Sequence, residues 1–262
     1  MKILVTGGSG LVGTHLQKLV ENNDELCDCE FIFISSKDCD LRNYDDVYTL
    51  FNEYKFSTVI HLAARVGGLY KNLRENVEMF SDNIKINENV LKACNFFNIN
   101  NAIFCLSSCI FPHEPSKFPM DETMIHESEP HPSNNGYGYS KRMLEVQCNN
   151  YNNQYGRNYV CVVPVDLYGE YDNFTLGDAH VIPEIIHRMY NYKKNNKLKN
   201  NIEKFTAFGS GKPLRQFLYA EDFAKMILNV LFHYNPGHMN IKPIICCNDE
   251  ITIKELVHKI AY

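Results

Sequence analysis

Lys2-Ile-Leu-Val-Thr6 followed by Gly7-Gly-Ser-Gly-Leu-Val-Gly13 is the stretch whose reading decides the fold. The first five residues are an apolar, partly β-branched run that reads as a buried strand. The run breaks into glycines, after which Leu11, His15, Leu16, Leu19 and Val20 recur at helical spacing. Strand, glycine turn and helix in that order form a phosphate cradle: Gly7 for the tight turn, Gly10 for close approach of the backbone to a pyrophosphate, Gly13 for close packing of helix on sheet. A helix opening at Leu11 and Val12 presents free backbone N–H groups and its positive dipole end to the phosphates.

Outward from this unit the chain alternates strand and helix. Glu30-Phe-Ile-Phe-Ile-Ser35 reads as a second buried strand ending at Ser36-Lys37, where such folds meet the adenine ribose. A hydroxyl and a cation suit a 2′-phosphate and favour NADP over NAD; the other reading of Lys37 is a solvated loop charge. Asp40-Leu41 would lie beside the adenine, although Asp40 could equally cap the helix expected over Asn43 to Tyr54. Thr58-Val-Ile-His-Leu-Ala-Ala64 is a third strand whose small Ala63-Ala64 end leaves space at the carboxyl edge of the sheet. A helix is expected from Asn76 to Phe97, a fourth strand over Ala102 to Ser108, a long functional loop from Phe111 to Asn135, a helix opening at Tyr137, and another strand over Tyr159 to Val165. Beyond it the pattern weakens. It gives a helix over Val181 to Tyr192, a mobile Lys/Asn excursion over Lys193 to Asn201, and two short strands around a glycine turn between Phe205 and Tyr219. A helix over Ala220 to His233, a strand over Pro243 to Cys247 and a last helix with a Thr252-Ile-Lys-Glu255 capping box complete it. The expected fold is α/β: a Rossmann-type doubly wound parallel sheet over residues 1–165, with a smaller, mixed, interleaved C-terminal substrate region over 166–262.

Composition narrows the function classes. The 262 residues carry a net charge of −5 and no block of Lys or Arg, which argues against a nucleic-acid partner. No apolar run approaches the ~18 residues that span a bilayer, and the chain begins on a core strand, so a cytoplasmic protein is expected. Ten scattered cysteines without C-x-x-C or zinc spacing indicate neither a disulfide framework nor a metal site.

Ser107, Tyr137 and Lys141 supply chemistry once joined to the glycine turn. The spacing of four puts Tyr137 and Lys141 on one helical face. A free tyrosine has a pKa of ~10, and an ammonium one turn away is expected to favour its phenolate. Ser107 would bond the same substrate oxygen, letting Tyr137 protonate it as hydride arrives from a nicotinamide.

These residues, with His61-Leu-Ala-Ala64 and Asn83 to Leu91, resemble the extended short-chain dehydrogenase/reductase family over nearly the whole chain. Val66-Gly-Gly68, Ser107-Ser-Cys-Ile-Phe-Pro112, Pro119-Met-Asp-Glu122, Asp172-Asn-Phe174, His180-Val-Ile-Pro183 and Gly209-Ser-Gly-Lys-Pro-Leu-Arg-Gln-Phe217 are similar to its epimerase-reductase branch, which turns GDP-4-keto-6-deoxy-D-mannose into GDP-L-fucose. The resemblance implies NADPH-dependent 3,5-epimerisation and 4-reduction of that GDP-sugar, with Cys109 and His180 as the acid/base pair beside Ser107, Tyr137 and Lys141. It implies cofactor contacts from Gly7, Gly10, Leu11, Val12, Gly13, Ser36, Lys37, Asp40, Leu41, Leu62, Ala63, Ala64, Tyr137, Lys141, Pro164 and His180. Substrate contacts are implied for Ser107, Ser108, Cys109, Asn134, Arg188, Phe208 and Arg215, the last at the diphosphate, and a homodimer through the Asn76–Phe97 and Tyr137–Tyr155 helices.

The chemistry is coherent with those roles. A 4-keto group acidifies both neighbouring carbons, and a free thiol of pKa ~8.5 with an imidazole of ~6.5 can exchange protons near neutrality. Two departures stand out. Val165-Asp166 occupies the place of Thr-Asn in the family, so the acid at 166 is expected to point away from a phosphate-bearing ligand or be neutral. Family members also continue past the segment matching Ile251 to Tyr262, and part of the sugar pocket is expected to be missing. The alternatives are another nucleotide-sugar epimerase or dehydratase, or a dinucleotide-binding protein without turnover.

Overall fold

In the computed structural model, which describes residues 1–199, 204–234 and 241–261, strand β1 (Lys2–Thr6) lies within a six-stranded parallel sheet. It pairs with β2 (Glu30–Ile34) on one side and β3 (Thr58–His61) on the other. Beyond β3 come β4 (Asn101–Cys105), β5 (Asn158–Pro164) and, from much later in the chain, β8 (Ile244–Cys246). The strand order β2-β1-β3-β4-β5-β8 reverses between β1 and β3, so a crevice opens there at the carboxyl ends of the strands.

Both faces of the sheet are covered because successive strand residues point to opposite sides. Leu4 faces a core shared with α2 (Tyr44–Tyr54), α4 (Asn76–Phe96) and α5 (Asn135–Tyr155), through Val47, Phe51, Leu91 and Leu144. Ile3 and Val5 face the other core, where Leu16 of α1 (Leu11–Glu21) meets Phe223 and Ile227 of α7 (Ala220–His233). Residues beyond 165 therefore return to the main sheet twice, as α7 and as β8.

A smaller mixed sheet stands beside it. β6 (Asp166–Tyr168) pairs in parallel with β7 (Leu214–Tyr219), which pairs antiparallel with β9 (Glu250–Thr252). Ile182 and Ile185 of α6 (Val181–Lys199) and Leu256 of α8 (Ile253–Ala261) pack on Phe217 of this sheet. The capping box of α8 forms as expected: Glu255 N–H donates to Thr252 Oγ1 at 3.1 Å while Thr252 N–H donates to Glu255 Oε2 at 2.8 Å.

Three local expectations change. Residues 193–199 continue α6 instead of forming an excursion, since Lys and Asn tolerate a helix whose apolar face is already docked; Asn200 and Asn201 lie outside the described residues. Phe205 to Gly211 forms no strand, and β7 stands without the expected partner before the turn. β6 and β9, each three residues long, give too little periodicity to be seen beforehand.

His61 at the end of β3 is completely buried, with Nδ1 2.8 Å from Thr6 Oγ1 and Nε2 3.2 Å from Asn87 Oδ1. Burial, with the Lys141 ammonium adding to it, pulls its pKa down to about 3. The unfolded chain takes up a proton near pH 6.5 that the folded chain refuses until far lower pH, so stability falls as pH drops through that window. The melting temperature should therefore decline between pH 6.5 and 4, and that decline should be shallower in His61→Asn, measured by calorimetry at matched ionic strength.

Candidate active site

The phosphate cradle is set by close backbone approach. Gly7 has φ +72°, and a Cβ there would sit 2.9 Å from the Ala63 amide nitrogen, so the turn lies directly on the residues following β3. Gly10 N–H donates to the Gly7 carbonyl at 3.0 Å, closing the turn. A Cβ on Gly13 would collide with the Gly7 carbonyl oxygen and the Gly8 backbone. Gly13 thus lets α1 close on the turn itself, where helix-on-sheet contact was expected. α1 starts with Gly10 as its N-cap and no side-chain cap, leaving Leu11 and Val12 at an N-terminus open to an anion. Leu62 N–H bonds the Thr6 carbonyl at 3.3 Å and Ala63 N–H bonds Thr6 Oγ1 at 3.2 Å, which brings Leu62, Ala63 and Ala64 to the same edge. Pro164 is buried at the end of β5, in register with Cys246.

At the end of β2, Ser36 and Lys37 are exposed. Asp40 receives a two-pronged contact from Arg42, Nε at 2.9 Å and Nη2 at 2.8 Å, and that hydrogen bonding holds its carboxyl at about 2. The cap of α2 is Asn43, which accepts from Asp45 N–H at 3.1 Å, so the capping alternative for Asp40 falls away. Leu41 is buried in the core. Arg42 is a second cation at this end that the sequence reading passed over.

The edge that carries Tyr137 and Lys141 is built by α5. Gly136 N–H donates to Asn76 Oδ1 at 2.9 Å, and Asn76 Nδ2 donates to Asn135 Oδ1 at 2.8 Å, so the starts of α4 and α5 are tied. Buried Arg142 donates from Nε to the Ile110 carbonyl at 2.6 Å, fixing the short 3-10 turn Ser108–Ile110 against the helix. Lys141, 1% exposed, donates from Nζ to the Cys105 carbonyl at 2.6 Å. Its pKa is lowered by burial. Its Nζ lies 5.9 Å from the centre of the Tyr137 ring. Tyr137 is pushed well above its ordinary value by burial and by the Cys109 and Cys105 thiols, with a Ser107 hydrogen bond opposing. The expected lowering by Lys141 is not among the effects acting on Tyr137, and the protein by itself keeps the group a neutral phenol.

Ser107 caps the turn that carries Ser108 and Cys109, its Oγ accepting from Cys109 N–H at 3.3 Å. Asn134 Nδ2 donates to Cys109 Sγ at 3.0 Å, and Asn134 Oδ1 is buried with no partner. Burial raises the Cys109 thiol, nearby Asp166 adds to this, and the bonds from Ser107 and Asn134 oppose it.

From the other side come the residues of the small sheet and α6. His180 precedes α6 and its carbonyl accepts Glu184 N–H at 3.0 Å, while its side chain is 46% exposed. Its pKa is raised, first by the Asp172 carboxylate and further by Asp166 and the Gly67 carbonyl. Asp166 itself is moved up by burial, with Arg215 and His180 opposing. Asp166 opens β6 with much of its surface exposed, and its charge acts on Cys109 and His180 while Arg215 acts on it. Arg215 reaches its own strand at the Leu214 carbonyl, 2.7 Å from Nη1. Arg188 donates to the Thr206 carbonyl at 2.8 Å and stacks 4.3 Å above the Phe208 ring, so these two sequence candidates meet. An exposed aromatic under a guanidinium offers a flat, cationic surface.

The structure thus gathers Ser107, Cys109, Asn134 and Tyr137 at one edge, with His180 and Arg215 linked to it by the charge of Asp166. Asp166 carried only a doubt in the sequence, and Asp172 appeared there only inside a motif. The signal that could have found both is the acid placed within reach of a histidine after a strand end. Replacing Gly13 with Val should weaken binding of a nicotinamide dinucleotide more than about tenfold and lower the melting temperature by several degrees, because the turn must open to admit a side chain. Fluorescence titration and thermal unfolding check it.

The family model described as NAD dependent epimerase/dehydratase matches residues 3–241. GDP-L-fucose synthase of Dictyostelium discoideum is 45% identical over 261 residues, 98% of this chain and 78% of that protein. Probable GDP-L-fucose synthase of Drosophila melanogaster is 42% identical over 99% of this chain and 80% of its own length. The crystal structure of a GDP-L-fucose synthetase from Naegleria fowleri bound to NADP is similar at TM-score 0.87 and 38% identity, covering 99% of this chain and 76% of that one. With a match running from β1 to the residues just ahead of β8, and with the doubly wound sheet and its glycine turn in place, this chain belongs to the NAD dependent epimerase/dehydratase family.

Proposed function

We propose that the chain catalyses NADPH-dependent 3,5-epimerisation and 4-reduction of GDP-4-keto-6-deoxy-D-mannose, giving GDP-L-fucose. What supports this reading is that the charge of Asp166 acts on both the Cys109 thiol and the His180 imidazole, the acid/base pair of the reaction, while Cys109 in turn acts on Tyr137. A 4-epimerase or dehydratase has no call for that pair, and the relatives at 45% and 42% identity bear the name of this activity.

The cradle fits a dinucleotide: a Cβ at Gly7 or Gly13 would fill it, and the N-terminus of α1 has no side-chain cap. Gly7, Gly10, Leu11, Val12 and Gly13 would hold the pyrophosphate, Ser36, Lys37 and Arg42 the 2′-phosphate that marks NADPH, and Tyr137 with Lys141 the nicotinamide ribose. When bound, NADPH supplies the hydride. Cys109 and His180 exchange protons with C3 and C5 while the C4 ketone stabilises the enolates, and Ser107 and Tyr137 hydrogen-bond the enolate oxygen. One of the pair removes a proton from a ring face and the other returns one to the opposite face, so the pair works with a single proton between them. Reduction follows inversion because it removes the carbonyl that acidifies those carbons. Tyr137, held as a phenol, then gives its proton to O4. Arg188 over Phe208 suits the guanine, and Arg215 the diphosphate.

Purified protein supplied with NADPH and the keto sugar should yield GDP-L-fucose by NMR, with one NADPH oxidised per sugar; unchanged sugar, or conversion without NADPH loss, would reject the reading. Tyr137→Phe should lower hydride transfer by about a hundredfold or more. Cys109→Ser should chiefly slow inversion and let an unepimerised reduced sugar appear.

The reading extends to assembly and place. Val77 and Phe80 on α4 and Met143 on α5 are exposed apolar residues on the two helices through which a second copy would dock. Light scattering should give a mass of twice 30.3 kDa. Among the described residues no helix is long and apolar enough to cross a membrane. All ten cysteines are free thiols, a state that the cytoplasm preserves.

A further inference from the structure

The Asp172 side chain is 6% exposed, and its Oδ1 lies 3.9 Å from Nδ1 of His180, whose own side chain is 46% exposed. Oδ1 also accepts Asn173 N–H at 2.7 Å, while Oδ2 is buried with no partner. A buried carboxylate with one unpaired oxygen is costly unless a cation meets it. The other acids on this side are engaged or more distant in role. Asp178 is held by Arg74 at 2.9 Å, and Glu184 accepts Gly177 N–H at 3.0 Å. Asp166 of β6 acts by charge on His180 and on the Cys109 thiol, and Arg215 of β7 acts on it in turn. The Gly67 carbonyl approaches from the loop ahead of α3 (Leu69–Arg74). That loop is pressed onto residues 178–179: Gly68 N–H donates to the Asp178 carbonyl at 2.9 Å, and a Cβ on Gly68 would collide with the Ala179 carbonyl. His180 is therefore pinned from behind on its backbone and from one side by Asp172.

We propose that Asp172 is the positioning residue for His180, orienting its imidazole through Nδ1 and stabilising the imidazolium that forms when Nε2 takes a proton from the sugar ring. This rests on the reaction proposed above and adds a residue to it. The separation of 3.9 Å is beyond a hydrogen bond, and closure by about 1 Å onto a protonated ring is the motion expected when a free site tightens around its ligand. The carboxylate acts on the base and never touches the sugar. An imidazole backed by a carboxylate is a stronger base, which suits removal of a proton from carbon. Balance is kept: the proton leaves C3 or C5 for His180, the electron pair goes to the enolate, and Cys109 delivers a proton to the opposite face.

Asp172→Asn tests this, because the amide keeps an acceptor for Asn173 N–H and removes only the charge. In protein without added ligand, an NMR titration of the His180 ring, assigned by its loss in His180→Gln, should show the midpoint falling by about one pH unit in the variant. Deuterium wash-in from D2O into GDP-4-keto-6-deoxy-D-mannose without NADPH should slow by about tenfold or more at its plateau. His180 must lose its proton to act as base, so the acidic limb of that exchange should move to lower pH by the same interval. The dissociation constant for NADPH should stay within about twofold. An unmoved midpoint, or slower exchange with an unmoved acidic limb, overturns the proposal. Asp172→Ser, which also keeps an acceptor, should move the midpoint in the same direction and serves if the amide variant does not fold. If the wild-type protein exchanges no deuterium and makes no GDP-L-fucose, the proposed reaction fails, while the NMR titration still decides whether Asp172 governs His180.

Discussion

The ammonium group of Lys141, buried against the Cys105 carbonyl, is the constraint on which the edge carrying Tyr137 depends. A buried cation demands a partner, and the nearest one is the last carbonyl of β4, so α5 can lie on the sheet in one register only. That register puts Tyr137 one turn earlier, beside Ser107, and Arg142 one residue later, on the turn that carries Cys109. The same charge reaches back under the sheet and helps keep His61 neutral at the end of β3. Losing the ammonium would leave the Cys105 carbonyl unmet and free the helix to shift, at a cost comparable to the ~1–3 kcal/mol of an unsatisfied buried polar group.

Around this fixed point lie the groups that titrate. Burial moves Tyr137 and Cys109 upward, and the Asp172 carboxylate, with Asp166, moves His180 upward. In the proposed reaction the base arises when the Cys109 and His180 pair loses one proton, which would join the epimerisation to pH through His180 and the acids that act on it. Asp166 is raised by desolvation, while Arg215 and His180 pull it the other way.

The mixed region is where local sequence gave least. β6 and β9 are three residues each, too short for a period of two to register, and both form because β7 offers them an edge. Residues 193–199 read as low-complexity, yet they extend a helix whose preceding turns are docked through Ile182 and Ile185. β8 completes the main sheet from a segment more than two hundred residues after β1, a pairing that no local pattern announces.

Determined by sequence alone were the elements whose physics is local: the strand, turn and helix of residues 2–21, the period of the other main strands, the shared face of Tyr137 and Lys141, and the box that caps α8. Glycine tolerance, side-chain alternation and helical spacing are properties of neighbours along the chain, so they can be read there. Tertiary structure decided what depends on distance through space. It made Gly13 a contact of the turn with its own helix, gave Asp40 to Arg42, let burial raise Tyr137, and set Asp172 beside His180. Some of these are contacts that side-chain and backbone geometry settle even between near neighbours, as with Asp40 and Arg42, and the rest are matters of desolvation and approach that arise only when the chain has folded.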